Sequence, residues 1–79
     1  MEHNLESIDK LTEMGKMQLE EGQYENALNS FQKAISINQN DPDLWNLKGV
    51  TLRSLGRYNE AVECFNKSLE IDPRDKNAS

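Results

Sequence analysis

Few side chains in this sequence belong to the types that carry out covalent or acid–base chemistry. The only histidine is His3, close to the amino terminus, and the only cysteine is Cys64. Nucleophilic catalysis needs a nucleophile, a base within hydrogen-bonding reach of it and a third group that orients the base. One histidine near a chain terminus does not supply that arrangement. We therefore predict that the protein has no catalytic residues and is not an enzyme.

The carboxylates are numerous but lack the spacing of a metal or acid–base site. Glu20–Glu21, and Asp72 with Asp75, are typical of exposed helix or turn positions rather than of paired catalytic acids. The segment Asp41–Asp43 lacks the ligand spacing of a calcium loop and is better explained as a helix cap. One cysteine and one histidine cannot build a zinc site. We expect neither a metal nor a cofactor.

The charge balance restricts the class of partner. Nine lysines and arginines against fourteen aspartates and glutamates give a net charge of −5. Nucleic acids and anionic membranes are bound mainly through basic residues, so we expect neither partner. No apolar run approaches the roughly 20 residues of a membrane span, and residues 1–10 lack the apolar core of a signal peptide. The sequence therefore predicts a cytoplasmic protein.

The chain is short, so its small core needs further stabilisation, either from regular packing of its secondary structure or from association with a partner. Its 79 residues are 35% hydrophobic and contain no cysteine pair, which predicts one domain, residues 1–79, with a marginal core.

An internal repeat supplies the regularity. Shifting residues 8–41 onto residues 42–75 makes nine of the 34 pairs identical: Asp9/Asp43, Gly15/Gly49, Gly22/Gly56, Tyr24/Tyr58, Ala27/Ala61, Phe31/Phe65, Lys33/Lys67, Ile37/Ile71 and Asp41/Asp75. Residues 76–79 are a tail or the start of a further unit.

Each repeat is predicted to form two helices. Asp41 can cap a helix whose first turn contains Pro42, and Gly56 supplies the left-handed conformation that ends it. A second helix follows, with apolar residues recurring every three or four positions, and Pro73 closes the unit. Repeat one follows the same pattern, with its break at Gly22 and no closing proline. The fold class is all-α with four helices.

The repeats resemble the tetratricopeptide repeat. The characteristic positions are Gly15, Gly22, Tyr24, Ala27 and Phe31 in repeat one, and Trp45, Gly49, Gly56, Tyr58, Ala61, Phe65 and Pro73 in repeat two. The resemblance implies an α-solenoid of two tandem helix-turn-helix repeats, with four antiparallel helices in a right-handed superhelical stack. It also implies a binding protein whose first helices line a concave groove for a peptide or partner helix.

The sequence also predicts how several individual side chains pack. Gly15 and Gly49 are expected where the second helix of each pair approaches too closely for a side chain, with Phe31 and Phe65 wedged between consecutive helices. Cys64 directly precedes Phe65, so we expect a half-covered, inert thiol, with a reactive or bridging thiol as the alternative. Met14 is expected to fill a gap in the core, with an adaptable binding surface as the alternative.

The groove residues are predicted from their spacing on the first helices. Lys16 and Arg53 are expected to engage a carboxylate, Asn46 a peptide backbone, and Leu19 with Val50 an apolar residue. The peptide-facing set is Thr12, Lys16, Leu19, Asn46, Val50 and Arg53, flanked by Asp9 and Asp43. The alternative interpretation of each residue is a solvent-exposed surface position that contacts no ligand. Some family members hold a chaperone tail with lysines and asparagines spread over three repeats, but Leu47 stands where one such asparagine belongs, so that partner is not expected.

Self-association is the second functional hypothesis. Solenoids of this kind usually need about three repeats and a polar cap. The outer face of the last helix, including Val62, Cys64, Leu69 and Ile71, is expected to lack a cover. A homodimer, an end-to-end stack or helix exchange would bury it.

Overall fold

The structure, a computed structural model, describes residues 3–73 and the side chains of residues 8–73. This part of the chain forms four helices and no strand: α1 (His3–Glu20), α2 (Tyr24–Ile37), α3 (Pro42–Ser54) and α4 (Tyr58–Ile71). The predicted all-α helical repeat fold is confirmed. The predicted tail, residues 76–79, lies outside the described residues.

Both hairpins turn through a glycine in the left-handed region. Gly22 has φ of 81° and Gly56 has φ of 83°, a conformation that residues with a Cβ rarely adopt. The following residue closes each helix end, since the Gln23 amide donates to the Gln18 carbonyl at 2.8 Å and the Arg57 amide donates to the Leu52 carbonyl at 2.9 Å. The two glycines therefore end α1 and α3 in the same way.

The connection between the repeats is held at the start of α3. The Asp41 carboxylate accepts a hydrogen bond from the Asp43 amide at 3.0 Å, and Pro42 occupies the first turn, as predicted. The Trp45 indole donates to the carbonyl of Gln39 at 2.9 Å. Gln39 stands where repeat two has Pro73, so the tryptophan ties down the connection that lacks a proline.

The helices pack in chain order, α1 against α2, α2 against α3 and α3 against α4. The core consists of two buried clusters: Ala27, Phe31, Ala34, Ile35 and Leu44 in the first, and Leu28, Leu52, Ala61 and Cys64 in the second. Trp45 packs against both clusters. One side chain therefore joins the cores of the two repeats.

The two helical glycines lie under phenylalanine rings. A Cβ on Gly15 would come 2.5 Å from Phe31 Cε1, and a Cβ on Gly49 would come 2.6 Å from Phe65 Cε1. These distances are far shorter than the optimum of about 3.5–4.0 Å between carbon atoms. The close approach of the second helix is therefore present in both repeats.

Cys64 is buried, contrary to the expectation of a half-covered thiol. Its side chain is only 4% exposed because it follows Ala61 by three positions and shares the face of α4 that packs on Leu52. The position of Cys64 next to Phe65 suggested partial exposure, whereas Ala61 and Cys64 together face α3.

Two other packing expectations differ from the structure. Met14 is 45% exposed instead of filling a core gap, because its neighbour Gly15 occupies the face of α1 that meets α2. Tyr58 is 64% exposed, whereas its counterpart Tyr24 is half-buried. Neither exposed side chain contributes to the core as the repeat pattern suggested.

Candidate peptide-binding groove

A groove of about 660 Å³ lies between the middle of α1 and the amino-terminal half of α3. These are the first helices of the two hairpins, and both pack on α2, which leaves their other faces free to line a shared depression. The lining residues are Ile8, Asp9, Thr12, Glu13 and Lys16 from α1, and Asp41, Asp43, Leu44, Asn46 and Leu47 from the start of α3.

Half of the predicted peptide-facing set lines this groove. Thr12, Lys16 and Asn46 do so, together with the flanking aspartates Asp9 and Asp43. Leu19, Val50 and Arg53 are not among its lining residues. They lie further along α1 and α3, and Leu19 instead packs against the first core cluster.

The remaining lining residues were missed by the sequence analysis. Glu13 completes the spacing 9, 12, 13 and 16, which is one continuous face of a helix, so the periodicity could have found it. Asp41 was assigned only to capping. Ile8, Leu44 and Leu47 are apolar and lie outside the predicted set. Leu44 is almost fully buried, whereas Ile8 and Leu47 are half-buried and provide apolar surface within the groove.

The polar groups of the groove retain hydrogen-bonding capacity. The Thr12 hydroxyl donates to the carbonyl of Ile8 at 2.7 Å, which leaves its oxygen free to accept. One oxygen of Asp41 accepts the Asp43 amide in the cap of α3, and the exposed Asn46 amide can both donate and accept. An extended polypeptide, with alternating amide and carbonyl groups, can use these donors and acceptors.

The groove is rich in carboxylates. Asp9, Glu13, Asp41 and Asp43 line it, against a single cation, Lys16. The ion pairs of the described residues lie elsewhere, on α4, between Arg57 and Glu60 at 2.9 Å and between Lys67 and Glu70 at 3.9 Å. The groove charge is therefore negative, which differs from the expectation that Lys16 and Arg53 would jointly receive a carboxylate.

The groove acids do not form a metal centre. Within residues 3–73 there is no group of three or more histidine, cysteine or carboxylate side chains placed to hold a metal ion. The four carboxylates are instead spread along two helices, where each can meet a different part of a ligand.

A smaller cleft of about 280 Å³ lies between α3 and α4, away from the groove. The ammonium of Lys48 lies 5.3 Å from the centroid of the Trp45 ring, within cation–π range. Burial raises the pKa of the neighbouring Cys64 thiol, although the positive charge of Lys48 opposes that shift. A raised pKa lowers the fraction of the reactive thiolate at neutral pH.

A second exposed surface, which we term the α4 seam, consists of Tyr58, Val62, Phe65 and Leu69. Of their counterparts in repeat one, Leu28, Phe31 and Ile35 are buried in the core clusters, and Tyr24 is half-buried. The contrast is largest at Val62, which is 53% exposed against 8% for Leu28. Of the self-association residues named from the sequence, Val62, Leu69 and Ile71 keep exposed surface and Cys64 does not.

None of the helices in the described part of the chain has both the length and the apolar character needed to cross a membrane.

Two family models match the sequence across both hairpins. The model described as tetratricopeptide repeat matches residues 42–75, and the model described as TPR repeat matches residues 15–53.

Similar proteins come from archaea and eukaryotes. An uncharacterized protein of Methanocaldococcus jannaschii is 38% identical over 72 residues, covering 91% of this chain and 84% of that protein. The Hsp70-Hsp90 organising protein of Plasmodium falciparum is 37% identical over 68 residues, which is 86% of this chain and 27% of that protein. The peroxisomal targeting signal receptor of Saccharomyces cerevisiae is 26% identical over 73 residues, covering 90% of this chain but only 12% of the receptor. The paired hairpins, the phenylalanine-covered glycines and these matches agree: the chain belongs to the tetratricopeptide repeat family.

Proposed function

We propose that this chain is a non-catalytic protein-interaction module that holds an extended segment of a partner protein in the groove between α1 and α3. The observation that carries the proposal is the groove itself, a depression of about 660 Å³ with apolar surface from Ile8 and Leu47 and unshared polar groups along both walls. Apolar surface with a few placed polar groups is typical of ligand sites.

The similar proteins support a role in recognition of other polypeptides. Two of them are named for organising chaperones and for receiving a targeting signal, and in both this chain matches less than a third of the length. The partner of this chain is therefore argued from its own groove. A cytoplasmic location belongs to the same proposal.

The experiment blocks the groove without disturbing the core. A random nonapeptide display library is selected on the wild-type chain, and the affinity of enriched peptides is measured by fluorescence anisotropy. Asn46 lines the groove and is exposed, so Asn46→Trp fills the site with little effect on folding. Asn29→Trp adds the same bulk to an exposed position on α2 and is the matched control.

We expect Asn46→Trp to weaken peptide binding on the order of tenfold, about 1.4 kcal/mol, and Asn29→Trp to leave it unchanged. Equal affinity of the two variants for every enriched peptide would place the binding surface outside the groove and refute the proposal.

Self-association through the α4 seam is the second candidate function. The comparison between the repeats supports it, because Leu28, Phe31 and Ile35 are buried in repeat one, whereas the equivalent Val62, Phe65 and Leu69 keep exposed surface. Sedimentation velocity over a concentration series tests it, with Val62→Glu expected to remove any association. A wild-type chain that stays monomeric at the highest concentrations would exclude this candidate.

A further inference from the structure

The charges that line the groove between α1 and α3 define the chemistry of its occupant. Asp9, Glu13 and Asp43 lie along it with no ion-pair partner among the described residues, and Asp41 keeps a carboxylate oxygen beyond its capping bond. Lys16 is the one basic side chain of the lining. An anionic ligand would meet a net repulsive surface, whereas a cationic one would meet unpaired carboxylates on both walls.

Three of the six other basic side chains among the described residues already have partners. Arg57 donates two hydrogen bonds to Glu60, Lys67 is paired with Glu70, and Lys48 lies over the Trp45 ring. These interactions are on α3 and α4, outside the groove. The carboxylates of the groove are therefore left available, and the two cations that are paired with carboxylates, Arg57 and Lys67, lie outside it.

The apolar surface of the groove suits the same class of ligand. Ile8 and Leu47 are half-buried and lie among the carboxylates on opposite helices. Lysine and arginine side chains combine an aliphatic stem, which can cover such surface, with a cationic head that can reach a carboxylate. A segment of lysines or arginines around an aliphatic residue would satisfy both features.

We infer that the groove selects a cationic extended segment, one whose lysine or arginine side chains reach Asp9, Glu13 and Asp43 while an aliphatic residue contacts Ile8 and Leu47. This inference rests on the proposed function and adds the charge of the partner to it. It reverses the acidic partner expected from Lys16 and Arg53.

The test uses the nonapeptide display library on three forms of the chain. The groove variant is Asp9→Asn with Glu13→Gln and Asp43→Asn, and it keeps Asp41 because that residue caps α3. The control variant is Glu20→Gln with Glu25→Gln and Glu63→Gln, three exposed carboxylates outside the groove lining. Both variants remove three negative charges from a chain of net charge −5, so general attraction to basic peptides changes equally.

The wild-type chain is expected to enrich peptides in lysine and arginine over aspartate and glutamate. An enriched peptide should bind the groove variant on the order of tenfold more weakly, and the control variant within about twofold, since each exposed charge pair contributes modestly. Raising the salt concentration should weaken binding to the wild-type chain more than binding to the groove variant.

The inference and the proposed function fail in different ways. Enriched peptides without a preference for basic residues, yet weakened by Asn46→Trp, would overturn the inference and leave the groove as the binding site. Basic peptides that bind the groove and control variants equally would also overturn it, because their attraction would then depend on net charge alone. Peptides unaffected by Asn46→Trp would overturn the proposed function itself.

Discussion

At the residue scale, the two repeats fill one equivalent site with different chemistry. In repeat one the Ser30 hydroxyl donates to the Gln18 side-chain oxygen at 2.8 Å, which joins α2 to α1. In repeat two the corresponding residues are Cys64 and Leu52, and both belong to the second core cluster. A polar pair and an apolar pair therefore each satisfy the same position, and mixing them would leave a buried polar group without its partner.

This pairing predicts a measurable coupling. Leu52→Gln alone should destabilise the chain by at least about 2 kcal/mol because it buries an amide against a thiol. Adding Cys64→Ser recreates the pair of repeat one, so the double variant should be more stable than the sum of the single effects by about 1 kcal/mol. Urea unfolding of the four proteins measures the coupling. Val62→Ser, at an exposed position on the same helix, is the control and should add to Leu52→Gln without coupling.

The helical glycines give a second prediction at this scale. Alanine at Gly15 would collide with the fully buried ring of Phe31, whereas alanine at Gly49 would meet Phe65, which is half-exposed and can move. Gly15→Ala should therefore lower the free energy of unfolding by about 1–3 kcal/mol, and Gly49→Ala by less. An equal or larger loss for Gly49→Ala would show that the Phe65 ring is held as firmly as that of Phe31.

The buried thiol predicts a dependence of stability on pH. Because burial raises the pKa of Cys64 in the folded chain, the thiol ionises at lower pH in the unfolded chain than in the folded one. The stability that the buried, protonated thiol contributes is complete below the thiol pKa of the unfolded chain, about 8.5. It is lost as the pH rises through the raised pKa of the folded chain. Urea unfolding at several pH values should show a steeper alkaline decline for the wild type than for Cys64→Ala. Parallel curves would contradict the raised pKa.

At the element scale, the position of α3 depends on its first residues. Asp41 caps the helix, and the Trp45 indole holds the preceding connection through Gln39. Asp41 also lines the groove that α3 forms with α1. The element that joins the two repeats therefore also sets one wall of the candidate site.

Two substitutions separate the capping hydrogen bond of Asp41 from its negative charge. Asp41→Ala should destabilise the chain by about 1 kcal/mol, and Asp41→Asn should retain most of the stability because asparagine also accepts the Asp43 amide. Thermal unfolding followed by circular dichroism compares the two variants. If they melt at the same temperature, the hydrogen bond to Asp43 does not stabilise α3.

The helices were predictable from the sequence, but the groove only in part. Repeated glycines, the Asp41 cap and the apolar stripes are local signals, and they correctly indicated four helices with turns at Gly22 and Gly56. Which part of α1 and α3 lines the groove depends on how both pack on α2, and Leu19, Val50 and Arg53 lie outside that lining. The burial of Cys64 likewise depends on its neighbour Leu52 on α3, which the pattern of α4 alone does not reveal.

At the scale of the whole molecule, the groove and the α4 seam differ in character. The groove is negatively charged and is built by the first helices of the hairpins. The α4 seam is apolar and lies on the second helix of repeat two. A partner segment held in the groove and a helix packed on the seam would contact different elements, so the two functions are experimentally separable.

The central claim is that a partner segment binds between α1 and α3, and amide chemical shifts of the isotope-labelled chain test it most directly. On titration with a library-selected basic nonapeptide, the largest shift changes should fall in residues 8–16 and 41–47, with little change along α4. Changes concentrated at Tyr58, Val62, Phe65 and Leu69, with the groove amides unmoved, would contradict the claim.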